Sequence, residues 1–333
     1  MLARFANRIP DDRVAALAER TGAPVTVTVS GRRGAGRHTV AGALDRVGRS
    51  SGIRAAVAAG EPDLRVHVLV ETVKPEDHRG EKPVLAVLNK TDTIHLRGAG
   101  PMPAAQARCV RLSALMEVPT LPLSGLLAVA GCRGLDGACW AGLRALAADP
   151  GMPGLLDGSF DGVLAASLPV PVAVRQRLLA TLDLLGIALG SAALRQGADM
   201  AQVRALWRQV SGVDAVVEQL VAAGTVVRYR RVCEAVAVLE ALAVSNPQIR
   251  TFLSRDDTVL ARTAAAVDVV AAAGLEPGPD EPLARAVHWQ RCRAACASEL
   301  HRACAADIAR GSLRLWSRAG GVPSRGVPRR VPR

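Results

Sequence analysis

Aromatic side chains are nearly missing from this sequence: Phe, Trp and Tyr together make up 2% of its 333 residues. Half of the residues are hydrophobic, so the core has to be built from Ala, Val and Leu. The aromatic platforms on which single-stranded nucleic acids stack are correspondingly scarce. Lysine is rarer still. Of the 42 Lys and Arg residues, only Lys74, Lys82 and Lys90 are lysine. The net charge of +12 is thus an arginine charge. It reads as a compositional bias rather than a basic binding face, and nucleic acid is not an expected partner. The seven cysteines are odd in number and do not form a disulfide framework. Met1-Leu2-Ala3-Arg4-Phe5 lacks the apolar region of a secretory leader, so a cytoplasmic chain with reduced thiols is expected. Long apolar runs are also few. Leu178 to Leu194 is short for a membrane span and carries Asp183 near its middle, where a carboxylate is costly in lipid. A buried core helix is the expected reading, and membrane association has only weak support.

The stretch that organises the rest is Pro83-Val84-Leu85-Ala86-Val87-Leu88-Asn89-Lys90-Thr91-Asp92. An apolar run ended by polar residues predicts a buried parallel strand whose carboxyl end carries the polar group. That end is where open α/β sheets bind ligands. Upstream, Ala23 to Ser30 alternates β-branched residues as a strand does. It runs into Gly31-Arg32-Arg33-Gly34-Ala35-Gly36-Arg37-His38-Thr39, and Val40 to Arg49 follows as a helix. Strand, glycine loop and helix is the context in which backbone N–H groups and a helix dipole cradle phosphate. A further strand is predicted over Asp63–Glu71, a short strand or a helix continuation over 53–59, helices over 10–22 and 101–117, and a last short strand at Thr120-Leu121-Pro122-Leu123 that ends in Ser124-Gly125-Leu126.

These pieces resemble the P-loop GTPase superfamily. Gly31 to Gly36 has the spacing of GxxxxGK[ST]. Asn89-Lys90-Thr91-Asp92 resembles the guanine-reading NKxD motif, and Ser124-Gly125-Leu126 a variant of the SA[KL] motif. The resemblance implies phosphate binding by Gly31, Gly34, Ala35, Gly36, Arg37, His38 and Thr39. It implies guanine binding by Asn89, Lys90, Asp92, Ser124, Gly125 and Leu126, with GTP or GDP as the ligand. The Asp92 carboxylate can accept two hydrogen bonds from guanine, a donor pair that adenine does not offer. Asn89 is expected to brace the loops, and the Lys90 stem to cover the face of the base.

The departures are as informative. Arg37 stands where lysine is expected and His38 where a hydroxyl would ligate Mg²⁺, a hard cation that prefers oxygen. Between Thr39 and Asp63 no threonine is available as a switch residue. Two DxxG matches look like decoys: Asp45-Arg46-Val47-Gly48 lies inside the helix after the glycine loop, and Asp77-His78-Arg79-Gly80 lies too close to Asn89. One strand and both switches are therefore expected to be deleted or reduced, with binding weakened, little Mg²⁺ dependence, and hydrolysis weak or absent. No catalytic residue and no metal ligand is assigned.

Beyond Pro150 the pattern changes. The expected architecture is an α/β P-loop (Rossmann-like) domain with a reduced parallel sheet over 1–147, a Pro- and Gly-rich connector over 148–172, an all-α helical bundle over 173–318 and a disordered basic tail over 319–333. Helices are predicted at Val174–Leu194, 199–223, 226–245, 247–253, 256–274 and 282–316, with breaks at Gly224, Asn246-Pro247 and Gly274 to Pro282. His288, Cys292 and Cys296 share an i, i+4 face with His301 and Cys304 beyond, but without a paired CxxC they read as core residues rather than a zinc site. A P-loop domain followed by helices is similar to Era-like and dynamin-like GTPases. It implies a regulatory or partner subunit that works through a protein partner, another GTPase among the candidates. The alternatives are an interaction scaffold that no longer binds nucleotide, or a GTPase completed in trans by its partner.

Overall fold

A computed structural model describes residues 1–57, 60–91, 101–151 and 159–321. Asp92, part of the connector (152–158) and most of the expected tail (322–333) lie outside the described residues.

The chain divides into two compact units, Pro24–Val221 and Met1–Ala23 with Ala222–Arg333. The second unit opens with α1 (Leu2–Ala6) and α2 (Asp12–Gly22), the latter capped by the Asp11 carboxylate accepting from the Arg13 amide. The first unit then holds every strand found among the described residues. They are β1 (Val25–Gly31), β2 (Ile53–Ala56), β3 (Leu64–Leu69), β4 (Leu85–Leu88) and β5 (Thr120–Pro122), in the spatial order β2-β1-β3-β4-β5. Every pairing is parallel, from Val25↔Ile53 at one edge to Leu88↔Pro122 at the other. Parallel strands covered on both faces are apolar throughout, and all four residues of β4 are buried. Residues 53–56 resolve as a strand the segment for which strand and helix were both open.

The helices of this unit cover the sheet. α3 (Arg37–Gly48) packs on β1 and β2, and α4 (Pro101–Met116) on β4 and β5. Ala105, Cys109, Leu112 and Met116 of α4 close over Leu69, Ala86 and Leu88. α5 (Gly125–Arg133), α6 (Gly137–Ala148), α7 (Phe160–Ala165), α8 (Val172–Arg195) and α9 (Met200–Ser211) follow. Leu127, Leu143, Leu178, Leu182, Ile187 and Trp207 form a shared core among them, and the Trp207 indole donates to the Gly186 carbonyl at 2.9 Å. α8 is the one helix among the described residues long and apolar enough to cross a membrane, or one of up to two if a bent pair counts as a single span. Its apolar face is occupied by this core. α7 also lies within the stretch expected to be an irregular connector.

The division between units falls inside α10 (Val213–Leu242). The helical unit is completed by α11 (Pro247–Ser254), α12 (Asp256–Ala272), α13 (Pro282–Ala295) and α14 (Glu299–Arg318). Its N-terminal helices belong there because Phe5 stacks on Phe252 at 4.0 Å and Val14 and Leu17 pack with Leu239 and Ile249. The units therefore divide elsewhere than at the expected 148–172 connector. α8 and α9 carry Trp207 and the Leu178–Leu185 stripe into the core of α5 and α6, so they belong with the sheet unit. A second correction concerns helix ends. The break expected at Gly224 lies within continuous α10, and the break is at Gly212 instead (φ 79°), where a Cβ would stand 2.6 Å from the Pro122 carbonyl oxygen. A further break separates α13 from α14 at 296–298, inside the expected 282–316 helix.

Candidate functional site

The carboxyl ends of β1, β3, β4 and β5 lie on one edge of the sheet, because all the strands are parallel. That edge carries the loops singled out in the sequence. After β1 the chain turns through Gly31 and Gly34 (φ 138° and 82°), and Gly36 (φ 87°) stands at the N-terminus of α3. Ala35 is buried between them. A glycine is required at position 36 on two counts. Its backbone is left-handed, and a Cβ there would sit 2.5 Å from Asn89 Nδ2.

Asn89 ties this edge together. It is buried at the end of β4, where its amide N–H donates to the Leu69 carbonyl at 2.9 Å. Its Nδ2 donates to the Ala35 carbonyl at 2.9 Å, and its Oδ1 accepts from the Gly125 N–H at 3.0 Å. One partner can only accept and the other can only donate, so the orientation of the side-chain amide is fixed by its surroundings. The glycine loop, the β4 exit and the first turn of α5 are thus held by a single side chain. Ser124, the residue before α5, is buried, and its N–H donates to the Ser211 carbonyl at 2.9 Å. Leu126 is half-buried in the first turn.

The remaining expected residues line the same edge. Arg37 and Thr39 are half-buried in the first turn of α3 and His38 is exposed. Lys90 follows Asn89 in a left-handed conformation (φ 60°), and its side chain is exposed. A non-glycine residue in that region is uncommon and marks a sharp turn held by its surroundings. Thr91 is fully buried, with its hydroxyl against Met102 Sδ. Asp92, the residue expected to read the base, is outside the described residues.

Sequence reasoning missed a second group at this edge. Asp77, in the short turn Pro75–His78 after β3, is buried and gathers three partners. His67 Nε2 donates to its Oδ1 at 2.9 Å, the Lys74 amide donates to its Oδ2 at 2.8 Å, and Arg32 Nε pairs with Oδ1 at 3.2 Å. The Arg32 guanidinium also donates to the Val70 and Thr72 carbonyls, and Ser30 Oγ meets His67 Nδ1 at 3.1 Å. Burial pushes the Asp77 carboxyl up. The His67 hydrogen bond, the Lys74 amide and the Arg32 and His67 charges outweigh it and hold the carboxyl below the usual carboxylate value. Asp77-His78-Arg79-Gly80, set aside as a decoy on sequence, thus supplies a carboxylate that fixes the first half of the glycine loop through Arg32. A signal was present: His67 is the one buried polar side chain of β3. The other match, Asp45, pairs with Arg49 and Arg54 beside α3.

To an anion, this arrangement presents the backbone N–H groups of a glycine turn at a helix start, with arginine charge beside them. Among the described residues no group of three or more His, Cys, Asp and Glu could hold a metal ion; Cys292 and His288 are 3.4 Å apart without a third partner. No protein-family model, curated protein or solved structure matches the chain.

Proposed function

We propose that this chain is a guanine-nucleotide-binding protein of degenerate P-loop GTPase type, a regulatory or partner subunit with little or no hydrolysis of its own. The observation that carries the reading is the Asn89 bridge from the Ala35 carbonyl to the Gly125 amide. By satisfying these two buried backbone groups, the side chain holds the phosphate-type loop against the start of α5, the two segments that a nucleotide would span. The N–H groups of Gly34 and of Gly36 to Thr39, with Arg37, would hold the phosphates, while the Ala35 N–H closes the loop on the Arg32 carbonyl; the first turn of α5 and the Lys90 stem would flank the base. On the sequence, Asp92 would select guanine by accepting from its two adjacent N–H donors.

Mg²⁺ is the group this family implies, and the donors present do not fit it. The position for a ligating hydroxyl is held by the exposed His38 imidazole, a poor partner for a hard cation. The strand beside β1 on its far side is β2, and the sequence leaving it, Val57 to Gly60, contains no carboxylate. Such a donor set supports binding and orientation of the nucleotide and supports no hydrolytic step.

Displacement of a fluorescent GTP analogue tests base selection. GDP should compete and ADP should not, and Asp92→Ala should erase the difference. Saturable binding displaced equally well by ADP would overturn the guanine assignment, and absence of saturable binding would overturn the nucleotide assignment.

A further inference from the structure

Ser30 and His67 are register partners on the neighbouring parallel strands β1 and β3, so their side chains stand side by side on one face of the sheet. Ser30 Oγ lies 3.1 Å from His67 Nδ1, and His67 Nε2 donates to Asp77 Oδ1 at 2.9 Å. The three form a serine–imidazole–carboxylate chain. In such a chain the imidazole can take the hydroxyl proton while the carboxylate holds the imidazole in place.

The partners of each group set its role. Asp77 is buried, accepts from the Lys74 amide at 2.8 Å and pairs with Arg32 at 3.2 Å, so it is held as a carboxylate. Its hydrogen bond from His67 places the imidazole proton on Nε2 and leaves the Nδ1 lone pair facing Ser30. The other group in reach of the hydroxyl, the Val66 carbonyl at 3.2 Å, is also an acceptor. Ser30 Oγ thus has a proton to give, and among the described residues no donor occupies its own lone pairs. Ser30 is half-buried and His67 is 8% exposed, so the serine is the most open member of the chain and the base is shielded from water.

We propose that Ser30 is an activated nucleophile that accepts small acyl groups, with His67 as its general base and Asp77 as the positioning residue. Oγ attacks the carbonyl carbon of an aryl ester while its proton passes to Nδ1. The leaving phenolate takes that proton as its C–O bond breaks, and the acyl group stays on Ser30. Water, deprotonated by His67, then cleaves the Ser30 ester and releases the acid. None of these three residues is among those assigned to the nucleotide, so the activity stands or falls apart from the guanine reading.

Labelling of the full chain with a fluorophosphonate probe, read by intact mass and peptide mapping, tests it. Oγ displaces fluoride from phosphorus, its proton again passing to Nδ1. Wild type should carry one adduct, on Ser30. Ser30→Ala removes only Oγ and should carry none, and His67→Gln should label at least about a hundredfold more slowly. With 4-nitrophenyl acetate, Asp77→Asn should lower kcat at least about tenfold and leave KM unchanged. A purely structural loss would instead shrink the fraction of chains that the probe labels. An unlabelled wild type, an adduct on a serine other than Ser30, or folded His67→Gln labelled at the wild-type rate would overturn the proposal. So would an Asp77→Asn variant with the kcat of wild type.

Discussion

Asp77 shows how one carboxylate shapes the candidate site. It is buried beside Arg32 and His67, with its own titration held below the usual carboxylate value. A carboxyl depressed in the folded state stabilises fully above its unfolded value and loses that contribution as pH falls through the folded one. The stability of the sheet unit should therefore decline on acidification below the ordinary carboxylate range, partly through this group. Asp77→Asn should lower stability near neutral pH by about 2 kcal/mol and flatten the acid limb, since Arg32 and His67 are left without their counter-charge. Urea midpoints between about pH 3 and pH 7 read both effects. A variant as acid-sensitive as wild type would place the acid response elsewhere. Unlike Asn89, whose tetrapeptide stood out in the sequence, this hub was marked there only by a histidine within the largely apolar run of β3. Its members, Arg32, His67 and Asp77, are far apart in the chain, and no local pattern records that three segments around the strand ends will converge.

Among the strands and helices, the strands were legible because a parallel sheet buried on both faces needs unbroken apolar runs, as in Leu85–Leu88 and much of Leu64–Leu69. The helix breaks were less so. Gly224 and Gly212 are equivalent letters in a sequence, yet of the two only Gly212 has left-handed backbone and lies against Pro122. Tertiary contact decides between them, through the turn that also presents the Ser211 carbonyl to Ser124. Gly212→Ala meets both the positive φ and the 2.6 Å approach. It should cost about 1–3 kcal/mol, measured as a lower urea midpoint. It should also weaken nucleotide binding, because the residue it displaces neighbours the anchor of Ser124. An unchanged midpoint would show that the turn relaxes freely.

For the molecule as a whole, the domain boundary was the least legible feature. Composition places a break where Pro and Gly accumulate, near 150–172, but apolar faces decide which elements share a core. Trp207 and Leu178 draw α8 and α9 to the sheet unit, and Phe5 and Val14 draw α1 and α2 to the helices at the other end of the chain. The helical unit has its own buried polar centre, Asp307 with Tyr229 and Arg262. Burial together with Asp307 raises the Tyr229 phenol well above its ordinary value, so it remains a donor. Asp307→Ala removes the counter-charge of a half-buried arginine and should destabilise this unit by about 3 kcal/mol, while leaving GDP affinity unchanged. A variant that lost nucleotide binding while remaining folded would show that the site depends on the helical unit's interior.

What joins these levels is the proposed guanine-nucleotide site at the carboxyl edge of the sheet, held together by Asn89 and independent of Mg²⁺. Its decisive test is calorimetric titration of GDP into wild type and Asn89→Ala, in Mg²⁺ and again in EDTA. Removing Asn89 leaves the buried Ala35 carbonyl and Gly125 amide unpaired, so affinity should fall by at least about tenfold. The wild-type affinity should be nearly the same in EDTA as in Mg²⁺. A wild type that binds GDP only with Mg²⁺, or an Asn89→Ala variant that binds it as tightly as wild type, would contradict the proposed site.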